Sequence, residues 1–343
     1  MPAVGRPHGE RPQHPETHVV QRTHPLRNHP KHFRSARSDA ESTRHSEENP
    51  MTKSPVTVIG LGPMGAAMAA TFLGNGHPTT LWNRTAAKAE SLVAKGATLA
   101  ATPADALAAS DLIVVSQTDY AAMYDSLDDA ADALKGRVVV NLSSGSPDEL
   151  RRAGEWASRH GADLLTGGVM APPQGIGEPG AYVFYSGQEA ILDRHRGTLS
   201  ELGDATFVGS DPGLSMLYYQ AQLYLFWSTL AAYMHSVALL GTAGVSAEQF
   251  RPFAATTVRD LGTDGPMGFL KILTEMIDAG VHPGDDHTLR MQAVGADHVV
   301  EAAREAGIDT AGPLALRDLF WRAVDAGHGS DGLSSVIEVI RRS

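Results

Sequence analysis

The residues best able to do chemistry begin at Gly60-Leu61-Gly62-Pro63-Met64-Gly65. This G-x-G-x-x-G spacing follows directly on the apolar run Val56-Thr57-Val58-Ile59 and precedes an Ala-rich stretch reaching about Leu73. Gly60 permits a tight turn, Gly62 lets the backbone approach a pyrophosphate, and Gly65 permits close packing of a helix on a strand. Leu61, Pro63 and Met64 complete a loop that ends at a helix N-terminus, whose free N–H groups attract phosphate. The spacing alone is a weak signal, shared with Gly-rich structural turns; a strand before it and a helix after it make it a dinucleotide site. The chemistry such a site offers is hydride transfer.

The next cluster, "LWNRT", says which dinucleotide. An NAD site usually places Asp or Glu at the end of the second strand, on the ribose 2′-hydroxyl. Here the positions read Asn83, Arg84 and Thr85, with Lys88 one helical turn beyond. A carboxylate would repel a 2′-phosphate, whereas Arg84 can pair with it bidentately and Asn83 and Thr85 can donate hydrogen bonds. The expected cofactor is NADP(H) rather than NAD. Further polar residues, Gln117, Thr118, Asn141, Ser143 and Ser144, follow two more apolar runs and fall where the nicotinamide half of the cofactor lies. Small polar residues are also ordinary loop residues.

A fourth group sits on an uncharged stretch. Residues 213–244 contain no Asp, Glu, Lys or Arg, but carry Tyr218, Tyr219, Gln220, Gln222, Tyr224, Trp227, Tyr233 and His235. A tyrosine can give a proton or a hydrogen bond in an apolar pocket. Tyr219 and Trp227, eight residues apart, project on neighbouring faces of a helix. An aromatic set of this kind suits an apolar, cationic substrate, although on spacing alone such a stripe is more often core. A hydroxy acid would call for Arg or Lys in a desolvated site, and this stretch has neither. Its polarity points toward C=N as the hydride acceptor.

The elements that position these groups follow from hydrophobic periodicity. Residues 111–117, 136–147, "ADLLTGGVM" and "AYVFYSG" supply further strands, with helices over 120–134 and up to about His160. Strands alternating with helices imply a mostly parallel sheet with ligands beyond its carboxyl ends. The uncharged stretch is long enough to cross a membrane. Its regularly placed polar residues favour instead a helix buried between protein layers, wrapped by a second subunit. Helices are expected over 246–260, 266–279, 286–306, 312–326 and 331–341. The fold class is therefore an α/β Rossmann domain (53–211), a long interdomain helix (212–244) and an all-helical dimerisation domain (245–343).

Composition excludes several functions. Among 343 residues there is no cysteine, which removes disulfides, thiolate metal sites and cysteine nucleophiles. The first fifty residues hold 7 of the 15 histidines and 8 Lys/Arg against 6 Asp/Glu, with few large apolar groups. Residues 1–52 are read as a disordered upstream extension; their irregular histidine spacing is no metal site, and they hold no secretory signal. Without the first fifty, the body has 20 basic and 33 acidic residues, a net of −13. That argues against nucleic acid as a partner. No membrane association and a cytoplasmic location are expected.

The chain resembles the imine reductases, relatives of the β-hydroxyacid dehydrogenases. The segments that carry the resemblance are "VIGLGPMGAAMA", "LWNRTAAKA", "VVNLSSGSP", "GGVMAPPQGIGEPGAYVFYSG", "DPGLSMLYYQAQL" and "AGHGSDGLSSVIEVI". The fourth is the most specific; the first and last belong to wider groups. Matching the glycine at the head of the long helix to Gly213 puts the dehydrogenases' catalytic lysine at Tyr219, a position imine reductases fill with Asp or Tyr. The resemblance thus implies a tyrosine-type enzyme that reduces a cyclic imine or iminium, with Tyr219 catalytic and Tyr218 in reserve. It implies a substrate pocket with Ser144, Met170 and Trp227, and Met267 reaching across a homodimer with exchanged domains. A few reductive aminases carry Asn in the Ser143–Ser144 loop; its lack here favours imine reduction over imine formation. The rival readings are an NADP-dependent β-hydroxyacid dehydrogenase and a cofactor-binding sensor without turnover.

Overall fold

The computed structural model describes residues 53–285 and 287–341; the extension expected over 1–52 lies outside them. Eight strands form one sheet in the order β3-β2-β1-β4-β5-β6-β7-β8. They are β1 (Val56–Ile59), β2 (Thr79–Trp82), β3 (Thr98–Leu99), β4 (Leu112–Val115), β5 (Val138–Asn141), β6 (Asp163–Val169), β7 (Tyr182–Gly187) and β8 (Asp204–Gly209). The helices between them are α1 (Pro63–Gly74), α2 (Glu90–Val93), α3 (Pro103–Ala108), α4 (Tyr120–Leu127), α5 (Pro147–Arg159) and α6 (Glu189–Leu199). β1 to β6 are parallel, whereas β7 runs antiparallel to β6 and β8 parallel to β7. Two short or half-exposed strands escape a reading based on apolar runs: β3 has only two residues, both exposed, and β8 buries none of its side chains fully.

The inner strands are apolar on both faces because both faces are covered. Val56, Val58, Val114 and Val140 pack with Met68 and Phe72 of α1. Their neighbours Ile59, Ile113, Val115 and Val139 pack on the opposite face with Tyr120, Met123, Leu150 and Trp156. α5 starts at a reciprocal cap, in which Ser146 accepts from the Glu149 N–H and Glu149 from the Ser146 N–H.

The uncharged stretch forms α7 (Leu214–Gly241), followed by α8 (Ala247–Leu261), α9 (Phe269–Ala279), α10 (Leu289–Glu305), α11 (Ala311–Ala323) and α12 (Val336–Ile340). Leu289, Ala293, Ala323, Val324, Val336 and Val339 make a separate small core there. The burial expected for the long helix is not met within the chain. Only Ser215 and Met216 of α7 are buried, while Tyr224, Leu225, Phe226, Trp227, Leu230 and Met234 are exposed. Among the described residues it is the one helix long and apolar enough to cross a membrane, and its most apolar window is not buried in the chain.

Candidate active site

The register of the parallel strands brings the candidate residues to one edge. Ile59 lies beside both Trp82 and Val115, and Val115 beside Asn141, so the loops after β1, β2, β4 and β5 leave the sheet together. Gly60 has φ +94°, and a Cβ there would lie 2.2 Å from the Ser116 carbonyl oxygen; one on Gly65 would lie 2.0 Å from that of Gly60. Both positions require glycine. A Cβ on Gly62 would meet nothing within 4 Å. Gly62 caps α1 without a side-chain acceptor, Pro63 occupies the first turn, and no acid stands there. The N–H groups at this end thus face open space in an uncompensated field, which suits a bound phosphate.

At the end of β2, Arg84, Thr85 and Lys88 are exposed, and no described residue pairs with Arg84 or Lys88. Their charges are free for an anion. Asn83 also has bonds within the protein. Its Oδ1 accepts from the Leu61 N–H at 2.9 Å and its Nδ2 donates to the Thr85 carbonyl at 2.9 Å. The Asn83 amide thus ties the Gly-rich loop to the Arg84 loop, and the second hydrogen on its Nδ2 is left to donate to a phosphate.

Beyond β4 and β5 the side chains also brace loops. Ser143 accepts from the Gln117 N–H at 3.0 Å, and its own N–H donates to Asn141 Oδ1 at 2.8 Å. Gln117 Nε2 donates to Ser126 Oγ at 2.8 Å, which leaves Gln117 Oε1 buried without a partner. Such an orphaned acceptor is costly, and it lies beside the Gly-rich loop, where a Cβ on Gly60 would come within 2.7 Å of Gln117 Cγ. Thr118 is exposed on the same edge. Open space at Gly62, unpaired cations after β2 and this acceptor fit a phosphorylated dinucleotide.

Two cavities adjoin this edge, and Tyr219 lines both. The smaller, about 110 Å³, is bounded also by Met64, Leu142, Ser144, Gly167, Gly168, Val169, Ala171 and Met216. The larger, about 1220 Å³, runs between α7 and α8 and includes Met170, Tyr182, Gln222, Phe226, Tyr233 and Arg251. The Tyr219 hydroxyl has no hydrogen-bond partner among the described residues. Tyr218 points elsewhere: its ring packs on Phe184 with centroids 5.2 Å apart, and it lines neither cavity. Trp227 and Met267 also line neither, and are 61% and 59% exposed. Within one chain neither joins these cavities; Met267 was expected to reach across a dimer, and Trp227 was assigned to the pocket by the resemblance. Among the described residues the one cation on the larger cavity, Arg251, is held by Glu248 through two hydrogen bonds of 3.0 and 2.7 Å.

Several residues that hold Tyr219 in place gave no local signal. Gly213 precedes α7 without a capping side chain. Its N–H donates to Asp211 Oδ1 at 2.9 Å, and Asp211 is gripped by Arg151 of α5 at 2.9 to 3.1 Å. That pairing holds the Asp211 carboxyl below its usual range and the Arg151 guanidinium above its own. Thr166 of β6 donates to the Pro212 carbonyl at 2.6 Å and lies 3.0 Å from Ser215 Oγ. Ser186 of β7 donates to the same carbonyl at 2.9 Å and accepts from the Ser215 N–H at 3.1 Å. A Cβ on Gly168 would come within 2.6 Å of Tyr219 Cβ, so only glycine lets α7 lie this close to β6.

The geometry agrees with what known proteins resemble this chain. Residues 55–209 match the family described as the NAD binding domain of 6-phosphogluconate dehydrogenase. Residues 211–342 match the NADPH-dependent reductive aminase-like C-terminal domain. The NADPH-dependent reductive aminase of Aspergillus oryzae is 33% identical over 83% of this chain and 97% of its own length. A solved imine reductase from Bacillus cereus is 44% identical, with a TM-score of 0.79 over 85% of this chain and 100% of that one. A reductive aminase from Aspergillus terreus, solved with a form of NADPH, cyclohexanone and allyl amine, is 38% identical. Its TM-score is 0.76 over 84% of this chain and 99% of that one.

Proposed function

We propose that this chain, which belongs to the imine reductase and reductive aminase family, is an NADPH-dependent oxidoreductase that reduces the C=N bond of cyclic imines. The observation that carries this is the unpartnered Tyr219 hydroxyl, on a wall shared by two cavities beside the dinucleotide edge. When bound, NADPH supplies a hydride from C4 of its nicotinamide ring. The free N–H groups of Gly62, Met64 and Gly65 at the start of α1 hold the pyrophosphate, and Arg84, Thr85 and Lys88 hold the 2′-phosphate. Asn83 keeps those two loops at a fixed spacing. Gln117, Thr118 and Ser143 border the nicotinamide half, and Ser144 and Met170 the substrate. Tyr219 hydrogen-bonds the imine nitrogen and orients the proton, supplied from solvent, that becomes the amine N–H. The apolar walls limit water, which strengthens that hydrogen bond.

The 2′-phosphate contact makes a first prediction. Arg84→Ala removes a charge-assisted pair worth about 1.5 kcal/mol at an exposed site. The KM for NADPH is expected to rise about tenfold, with the KM for NADH nearly unchanged. Steady-state kinetics with both cofactors checks it; equal shifts in the two would remove Arg84 from the phosphate site.

The active form is a homodimer with exchanged domains. Support comes from α7: its first turn is seated on the sheet, while the aromatic and aliphatic residues beyond it are bare. A contiguous apolar surface of this kind marks an interface. Tyr, Gln, Ser, Thr and His recur along it, which suits cover by protein rather than by a membrane. The larger cavity exceeds the usual 300–1,000 Å³ of a small-molecule site, as suits a groove that a partner helps to close. Trp227 and Met267 then act in the partner's site. A cytoplasmic protein that binds neither nucleic acid nor membrane fits the acidic body. Light scattering of detergent-free protein is expected to give twice the chain mass; a monodisperse monomer with full activity would exclude the exchanged dimer.

The hydroxyacid dehydrogenase reading lacks its lysine at Tyr219, and Arg251, engaged by Glu248, offers no free anion contact. The deciding experiment follows NADPH oxidation with 1-pyrroline or 2-methyl-1-pyrroline, beside 3-hydroxyisobutyrate with NADP⁺. Turnover of the imines alone is expected. Turnover of the hydroxy acid would overturn the reading, and NADPH binding without turnover of any substrate would favour a sensor.

A further inference from the structure

We infer that Thr166, together with Ser186 and Ser215, is a positioning device for Tyr219, fixing both the rotation and the axial placement of α7 on the sheet. This rests on the reading of Tyr219 as the group that meets the imine nitrogen.

The argument is one of register. Thr166 and Gly168 are two residues apart on β6 and share a face of the strand, a separation of about 6.6 Å. Ser215 and Tyr219 are four residues apart on α7 and share a face of the helix, a rise of about 6.0 Å. The two spacings nearly coincide, so helix and strand touch at two successive rungs. At the first rung Thr166 Oγ1 lies 3.0 Å from Ser215 Oγ. At the second, the bare Gly168 backbone faces Tyr219 Cβ. The second rung is only a steric allowance and cannot hold the helix. The first is directional. Thr166, Ser186 and Ser215 are all fully buried. Thr166 and Ser186 both donate to the Pro212 carbonyl, and Ser186 accepts the first-turn N–H of Ser215. Because Gly213 cannot cap its own helix, these strand hydroxyls hold the start of α7 in its place. A rotation of about 20° would move the outer edge of a helix, 5–6 Å from its axis, by roughly 2 Å. Misplacement on that scale is enough to lose most of an orientation effect.

The test is a double-mutant cycle on the full-length dimer, read with 2-methyl-1-pyrroline. Thr166→Val keeps the shape and removes the hydroxyl, and Pro212 keeps its donor from Ser186. T166V is expected to lower kcat about tenfold with the KM for NADPH within twofold. T166S, which restores the hydroxyl, recovers most of the loss. In a Tyr219→Phe background T166V costs less than a further twofold, because its effect runs through the tyrosine hydroxyl. Ser215→Ala, which leaves Pro212 both donors, goes through the same cycle, so a poorly folding T166V leaves the inference testable. A kcat within twofold of wild type for T166V and S215A would overturn it. So would T166S no better than T166V, or an equal loss in the two backgrounds. If Y219F alone retains full turnover, the reading of Tyr219 fails and this inference with it. An impaired Y219F beside a silent T166V removes only the positioning role.

Discussion

Gly168→Ala is expected to lower kcat/KM for a cyclic imine about 100-fold while leaving the NADPH Kd within about threefold. The added methyl carbon would sit 2.6 Å from Tyr219 Cβ and 2.9 Å from the Ser215 carbonyl oxygen. The second of these is helix backbone and cannot rotate away, so α7 itself has to move off β6. Overpacking of this kind costs typically 1–3 kcal/mol. Its larger consequence falls on the tyrosine that the same turn carries. The loops at Gly60 and Arg84 lie on other strands, so cofactor binding is the built-in control. Gly167→Ala is the companion variant: its methyl would meet the Leu142 Cδ2 end at 2.5 Å, a flexible tip that can shift, and a milder loss is expected. Steady-state kinetics with a fluorescence titration of NADPH measures both. A G168A enzyme within threefold of wild type would show that close contact of α7 with β6 is not needed for turnover.

Tyr219→Phe is expected to lower kcat about 100-fold, the lower end of what a positioned proton donor contributes. A phenol is a weak acid, so its service is a hydrogen bond to the nitrogen that gains the proton. The hydroxyl has no partner among the described residues, so its removal leaves no buried group there unsatisfied, and stability should hold. The ring remains as a wall of both cavities. KM for the imine and Kd for NADPH should therefore change little, placing the loss in kcat. Tyr218→Phe, on a ring packed against Phe184 outside both cavities, should lie within twofold of wild type. Equal losses at the two positions would mean that neither hydroxyl has a specific role.

The parts legible in the sequence were those written in local pattern. β1 and β4 are short, largely apolar runs with every residue buried, and the loop between β1 and α1 needs its glycines for steric reasons that spacing alone records. Arg84 and Lys88 stood out as candidates because a cation replaces the usual acid, and the structure leaves both exposed and without an ion pair among the described residues. Tyr219 was not legible from spacing, since an aromatic stripe on an apolar helix looks like core; the family resemblance singled it out. What separates it from Tyr218 in the structure is Gly168 beneath it and Phe184 beneath its neighbour, both distant in sequence. The bracing role of Asn83 was hidden for the same reason, because the bond its amide accepts from Leu61 spans 22 residues. The Thr166, Ser186 and Ser215 hydroxyls come from three separate elements and share no motif. Composition said that α7 must be covered, and the single chain leaves it bare.

The measurement that tests the account most directly is isotope transfer from [4-²H]NADPH, deuterated on each face in turn, to 2-methyl-1-pyrroline. The account predicts one deuterium at the former imine carbon of 2-methylpyrrolidine from one of the two cofactors and none from the other, with Y219F slower but equally specific. Amine formed without deuterium from either cofactor, or no amine beside NADP⁺-dependent oxidation of 3-hydroxyisobutyrate, would contradict it.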